Sequence, residues 1–289
     1  MNKTDNDSLI EIEIKGVPDP HRAKNLVNTT GALAFWETYE LAEIFQYLDQ
    51  ANKALIPLYK DSIQIPEKKD TNKNEADPVS ELGYEKNSQP DPEFISQNPL
   101  FSCLYPNVAQ REDGQAYPQQ GAVVGLVNIS DTAKINTMLN LKEVKMLFPR
   151  DLFFMWTIKA VDEEGKYLQL VAVRQSSRDG MPPMSGAYIV NAKAEKGMSG
   201  NNEILMEMNS EGAHIWKRLT SNNIGKALAI AIDNNVYAAP MVQAAIDGGK
   251  SLISGNFTAE EAADMAIIIK NGALPLHTCI IQVEVSNNK

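Results

Sequence analysis

Positive charge is scarce in this 289-residue sequence: 27 Lys and Arg stand against 37 Asp and Glu, a formal net charge of -10. That balance argues against a nucleic-acid binder, which needs a basic patch or stripe. It equally argues against a polybasic hold on anionic lipid. No stretch approaches the roughly 18 consecutive apolar residues of a spanning helix. Met1–Ser8 is polar and lacks the apolar core of a signal peptide. Cysteine is almost missing. Cys103 and Cys279 form no C-x-x-C and supply neither a disulfide framework nor a metal site. Both are expected to be unpaired, small apolar core residues; whether they meet is left open, and so is the compartment. The three histidines, His21, His214 and His277, share no metal-ligand spacing. What remains is ordinary for a soluble folded chain, with 43% hydrophobic and 22% charged residues, which excludes global disorder.

Alternation and helical spacing outline the elements. Ile10, Ile12 and Ile14 alternate with charged residues as in a half-buried strand, and Asp19 with Pro20 opens a helix. A strand follows through Leu33 to Trp36. Glu40 to Leu58 reads as a helix presenting Leu41, Ile44, Phe45 and Leu48 on one face. Lys60–Asn98 is rich in Asp, Glu, Lys, Asn and Pro and is expected to be a long, mobile, solvated loop. Gly121–Val127 is a strand, and Ser130 is expected to cap a helix carrying Ile135, Met138 and Leu139. Phe153–Val161 and Tyr167–Arg174 read as a hairpin with Gly165 in its turn. Strands are expected at Tyr188–Ala194 and through Ile204, Met206 and Met208. Asn209-Ser210 then caps a helix with Ile215, Trp216 and Leu219. Asp233-Asn234-Asn235 turns one strand into the next. Ser251–Ser254 leads to the capping box Thr258-Ala259-Glu260-Glu261, and Cys279–Val285 closes as a strand. The class is α+β with a mainly antiparallel sheet.

Catalytic patterns are thin. There is no G-x-S-x-G elbow. Gly249-Lys250-Ser251 mimics the end of a phosphate-binding loop, but position 244 is Ala and a strand pattern follows where that motif needs a helix. Glu163-Glu164 lies in a turn and Glu260-Glu261 at a helix N-terminus, where solvent and the helix dipole account for them. The residues alone support an acidic, non-catalytic module without cofactor or metal.

The last ninety residues are more specific. Asn209-Ser210-Glu211-Gly212-Ala213, Asn223-Ile224-Gly225-Lys226, Val236-Tyr237-Ala238-Ala239-Pro240, Ile253-Ser254-Gly255-Asn256-Phe257-Thr258 and Gly272-Ala273-Leu274-Pro275 occur in one collinear series. Together they resemble the SecD component of the bacterial protein-export machinery. Gly16-Val17-Pro18-Asp19-Pro20 is similar to the start of that family's large first periplasmic domain. Ser130–Lys134 and Leu147–Leu152 resemble the fused SecDF form of Bacteroidetes-type bacteria. One departure is Asn234-Asn235, where the family often has Asp-Gly.

The resemblance implies a periplasmic domain of an inner-membrane protein, lying between the parent's first two membrane helices. It implies an interrupted scaffold: a ferredoxin-like base from residues 1–39 and 187–289, and an α+β head inserted at 40–186 with the polar loop at about 60–98. It implies that the parent uses the proton-motive force to assist export after SecYEG, together with its SecF portion. The proton-relaying residues of the family lie in membrane helices that this sequence does not contain. The domain is expected to bind emerging unfolded preprotein transiently and to swing on hinges near Glu40 and Gly186. Phe153, Phe154, Met155 and Trp156 are the contact candidates, because four large apolar residues in a row exceed the needs of one sheet face. The other reading of those four is a strand buried on both faces. The alternative function is a docking module for a folded subunit of the translocon complex. No enzyme is expected.

Overall fold

The structure is a computed structural model and describes residues 32–59, 92–111, 114–162, 164–177, 179–197 and 200–271. The strands expected at Ile10–Ile14 and Cys279–Val285, the helix after Asp19, His21, His277 and Cys279 all lie outside the described residues.

Thirteen described strands form three sheets, and a mixed α+β architecture is observed. The largest sheet uses β1 (Leu33–Thr38), β2 (Leu104–Pro106), β5 (Val123–Asn128), β6 (Leu152–Thr157), β7 (Tyr167–Arg174), β8 (Met184–Ser185), β11 (Leu228–Ile232) and β12 (Asn235–Ala238). Its order is β2-β5-β7-β6-β12-β11-β1-β8, and β1 also pairs with β7. Strands β7, β6, β12, β11 and β1 therefore close into a ring. All its pairings are antiparallel except β12 with β6.

Residue parity explains the ring. Successive strand side chains point to opposite faces. In β11, Ala229 and Ala231 face inward, while Leu228, Ile230 and Ile232 face outward. In β7, Val171 and Val173 face inward, and Leu170 and Ala172 outward. Strand β1 splits Trp36 from Leu33 and Phe35 in the same way. The ring interior is thus narrow and filled by small or β-branched side chains around Trp36 and Met155.

Two outer layers cover the ring. On the β5–β7 side sit α1 (Leu41–Tyr59), α2 (Pro92–Gln97), α3 (Thr132–Asn140) and α4 (Lys142–Lys145), with Ile44, Leu48, Ile135 and Met138 fully buried. On the β1–β11 side lie α5 (Ser210–Asn222), α6 (Ala259–Asn271) and a second antiparallel sheet, β13 (Lys250–Phe257), β10 (Asn202–Met208) and β9 (Ile189–Lys196). Phe35 of β1 meets Trp216 of α5 edge-on at 5.0 Å and joins ring to outer layer. A small separate hairpin pairs β3 (Val108–Gln110) with β4 (Ala116–Pro118).

Local signals explain most boundaries. Asn209 Oδ1 accepts from the Gly212 amide and starts α5. Thr258 and Glu261 exchange the reciprocal bonds of a capping box before α6. Asp233 and Asn234 take φ of 51° and 64°, the left-handed conformation that a tight hairpin needs and that short polar side chains tolerate.

Three expectations need correction. Residues 92–97, assigned to a loop, form helix α2, because Asn52 of α1 accepts from the Leu100 amide and donates to Asn98, anchoring that segment on the core. Ser130 does not cap α3; the Asn128 side chain accepts from the Ser130 amide and opens a 3-10 turn that leads into the helix. Phe45 does not share the buried face of α1, which runs through Leu41, Ile44, Leu48, Ala51 and Leu55; Phe45 stacks on Phe101 at the surface.

Candidate functional site

The four contact candidates occupy β6, paired rung by rung with β7 from Leu152↔Arg174 to Trp156↔Leu170. Parity divides them. Met155 points into the ring and is 2% exposed. Phe154 and Trp156 point to the helical layer, where Phe154 meets Phe148 edge-on at 5.4 Å and Trp156 Nε1 donates to Asn136 Oδ1 at 3.0 Å. Phe153, at 40% exposure, is the one of the four that offers a substantial face to solvent. Packing thus accounts for Phe154, Met155 and Trp156, while Phe153 stays exposed.

Of the two hinge candidates, Glu40 lies at the first crossing between the ribbons of the sheet, and Gly186 lies past the second, beyond β8. Glu40 follows β1 directly, and its amide donates to Glu43 Oε2 at 2.9 Å. Around it gathers a polar cluster. Lys226 Nζ donates to Glu43 Oε1 at 3.2 Å, and Arg174 Nη2 lies 4.0 Å from the same oxygen. Arg174 Nε stands 3.7 Å from Asp151 Oδ2, which accepts from the Tyr39 hydroxyl at 2.9 Å. The guanidinium also lies over the Tyr39 ring, 4.2 Å from its centroid, a cation–π contact. Burial pushes the Glu43 carboxyl up, but the Glu40 amide, Lys226 and Arg174 outweigh it and hold it below its ordinary value. Burial pushes the Tyr39 phenol up; Arg174 opposes this and Asp151 adds to it.

The second crossing, 175–183, leads from β7 to β8. Glu37 links it to the rest: Ser176 Oγ and Asn223 Nδ2 each donate to its carboxylate at 2.9 Å. Gly186 follows β8, and a Cβ there would stand 2.8 Å from Leu33 Cβ. Close approach of β1 therefore requires glycine at this position. Between this crossing and α5 opens a shallow cleft of about 280 Å³, lined by Glu37, Ser176, Pro183, Ile215, Arg218 and Asn222.

Cys103 is buried, and Lys134 Nζ donates to its Sγ at 3.1 Å. Among the described residues no group of three or more His, Cys, Asp or Glu could hold a metal ion. No described helix is long and apolar enough to cross a membrane.

Residues 168–276 match the family model described as the SecDF P1 head subdomain. The chain is 34% identical over 276 residues to the protein translocase subunit SecD of Rhodothermus marinus, covering 94% of this chain and 41% of that protein. It is 40% identical over 100 residues to the Syntrophobacter fumaroxidans subunit of the same name, covering 34% of this chain and 19% of that one. The chain thus spans less than half the length of these relatives. A solved structure of SecDF, a membrane component that enhances protein export, covers 87% of this chain and 99% of its own, at 17% identity and a TM-score of 0.33. The matched head span takes in residues 187–276, which the sequence reading places in the base.

Proposed function

We propose, for a chain that belongs to the SecD/SecDF family of protein translocase subunits, that it is a periplasmic domain assisting proton-motive-force-driven export by transiently holding the emerging preprotein. The observation that carries this reading is the alignment with a protein translocase subunit over almost the whole chain. The partners on this reading are an unfolded preprotein, the SecYEG channel and the SecF portion of the parent, which reaches the membrane through helices outside this sequence.

The chemistry required is modest. Holding must be weak and reversible, since tight binding would stall release, and an extended chain is held by apolar contacts and by strand addition at a sheet edge. Phe153 is the contact residue we retain; Phe154, Met155 and Trp156 support it from the core side. We further propose a two-part division, with residues 40–186 as one lobe, residues 1–39 and 187–289 as the other on a ferredoxin-like plan, and hinges at Glu40 and Gly186. In that division β6 of one lobe and β12 of the other meet in a single sheet.

A photo-reactive amino acid at Phe153, in the full-length parent carrying a stalled export intermediate, tests the reading. Cross-links to the preprotein from position 153 support it. Labelling confined to positions in 187–271, or cross-links only to a folded translocon subunit, favours the docking module instead.

A further inference from the structure

We infer that the five-stranded ring is a gate made of two stiff ribbons, pivoting at the β1–β7 seam and opening at the β6–β12 seam. The pairing is uneven. Within one ribbon β6 and β7 share five rungs and β5 and β7 five; within the other β1 and β11 share five and β11 and β12 three. The ribbons meet at two seams of two rungs each: Glu37↔Arg174 and Thr38↔Val173 on one side, Asn235↔Trp156 and Val236↔Thr157 on the other.

Connectivity separates the roles of the seams. Among the described residues the chain passes between ribbons twice, at Glu40 and through 175–183, and both crossings leave from the β1–β7 seam. The same seam carries the Tyr39 amide bond to the Ala172 carbonyl at 2.9 Å, the Glu37–Ser176 bond and the Glu43–Lys226–Arg174 cluster. It is therefore the pivot. The opposite seam adds one further backbone bond, from the Ile158 amide to the Val236 carbonyl at 3.0 Å, and one exposed ion pair, Lys159 Nζ to Glu261 Oε1 at 2.8 Å. It is the mouth.

The interior favours opening. Across it Trp36, Ala229, Ala231 and Val236 of one ribbon face Met155, Val171 and Val173 of the other, so that apart from Trp36 and Met155 the side chains meeting between the ribbons are short. Trp36 Nε1 is buried there and has no hydrogen-bond partner among the described residues. A buried, unpaired N–H is a standing cost that water relieves once the mouth parts. The gate stands without the preprotein reading, because it follows from the pairing and the connectivity alone.

Amide and indole hydrogen exchange on the intact chain, followed by NMR at several low urea concentrations, tests it. The Ile158 amide and the Trp36 indole N–H are expected to exchange at least about tenfold faster than the Tyr39 amide and the β6–β7 ladder amides, with weak urea dependence, as in a sub-global opening. Lys159→Gln is expected to speed Ile158 and Trp36 by a further few-fold and leave Tyr39 unchanged. Exchange of the Trp36 indole only with global unfolding, or a Tyr39 amide faster than Ile158, overturns the gate.

Discussion

Substitutions two residues apart on β6 separate packing from contact. Met155 and Phe153 point to the same face, yet one is 2% exposed and the other 40%. Met155→Ala removes a thioether from a ring interior that has no flexible neighbour to refill it, since Ala229, Ala231, Val171 and Val173 are all short and fixed by the ladders. Lost transfer energy and the residual cavity together cost about 2–5 kcal/mol for such a core truncation. Phe153→Ser loses only the covered part of one ring, about 1–2 kcal/mol on the scale of a partly buried Phe. Urea unfolding of both variants, read by far-UV circular dichroism, gives the comparison, and preprotein cross-linking from a neighbouring surface position gives the functional half. The expected outcome is a stable Phe153→Ser domain with weakened cross-linking and a much less stable Met155→Ala domain whose folded fraction still cross-links. A Met155→Ala cost below about 1 kcal/mol, or a Phe153→Ser cost equal to it, would refute the assignment of faces.

Glu43→Gln tests the cluster at the first crossing. Because the folded carboxyl titrates below its ordinary value, its stabilisation is present above the unfolded pKa of about 4.3 and is lost as pH falls through the lower folded value. Stability of the parent chain should therefore decline between about pH 5 and 3 more steeply than that of the variant; with Glu43 about a third exposed, screening limits the difference to about 0.5–1 kcal/mol. Parallel pH profiles would contradict this. Gly212→Ala places a Cβ 2.6 Å from Tyr188 Cβ and 3.2 Å from Met208 Cβ, so a substitution that normally favours a helix should instead cost about 1–3 kcal/mol in thermal unfolding. Asn209→Ala should cost about 1 kcal/mol through the lost cap of α5, and Asn209→Ser should restore most of it.

Elements whose signal is local were legible in the sequence. The Thr258 capping box, the Asp233-Asn234 turn, the Asn209 cap and the alternating β10 each announce themselves within a few residues, and each forms as read. The β6–β7 hairpin was likewise legible from its two apolar runs around Gly165. What sequence could not give was partnership at distance. Nothing in Asn235–Ala238 marks it as the parallel neighbour of β6, and nothing in Glu37-Thr38 marks the rungs to β7 that close the ring. The polar cluster was missed for the same reason: Tyr39, Glu43, Asp151, Arg174 and Lys226 come from four separate stretches, and each alone is an ordinary polar residue. The signal that could have hinted at it is Arg174, a charged residue ending the apolar run Leu170–Val173. The Phe153–Trp156 run is a surplus of apolar residues for one sheet face or the sign of a strand covered on both; with one face toward the ring interior and the other toward a helical layer, β6 uses both faces at Phe154, Met155 and Trp156.

Weak holding of unfolded polypeptide, as proposed above, and docking of a folded subunit predict different spectra. Titrating the isotopically labelled chain with an unfolded preprotein segment, and separately with the folded translocon channel in detergent, and following backbone amide shifts, separates them most directly. Weak holding gives fast-exchange shifts with the unfolded segment, centred on Phe153, and no saturable complex with the folded partner. Shifts produced only by the folded partner, in slow exchange at one-to-one stoichiometry, would contradict it.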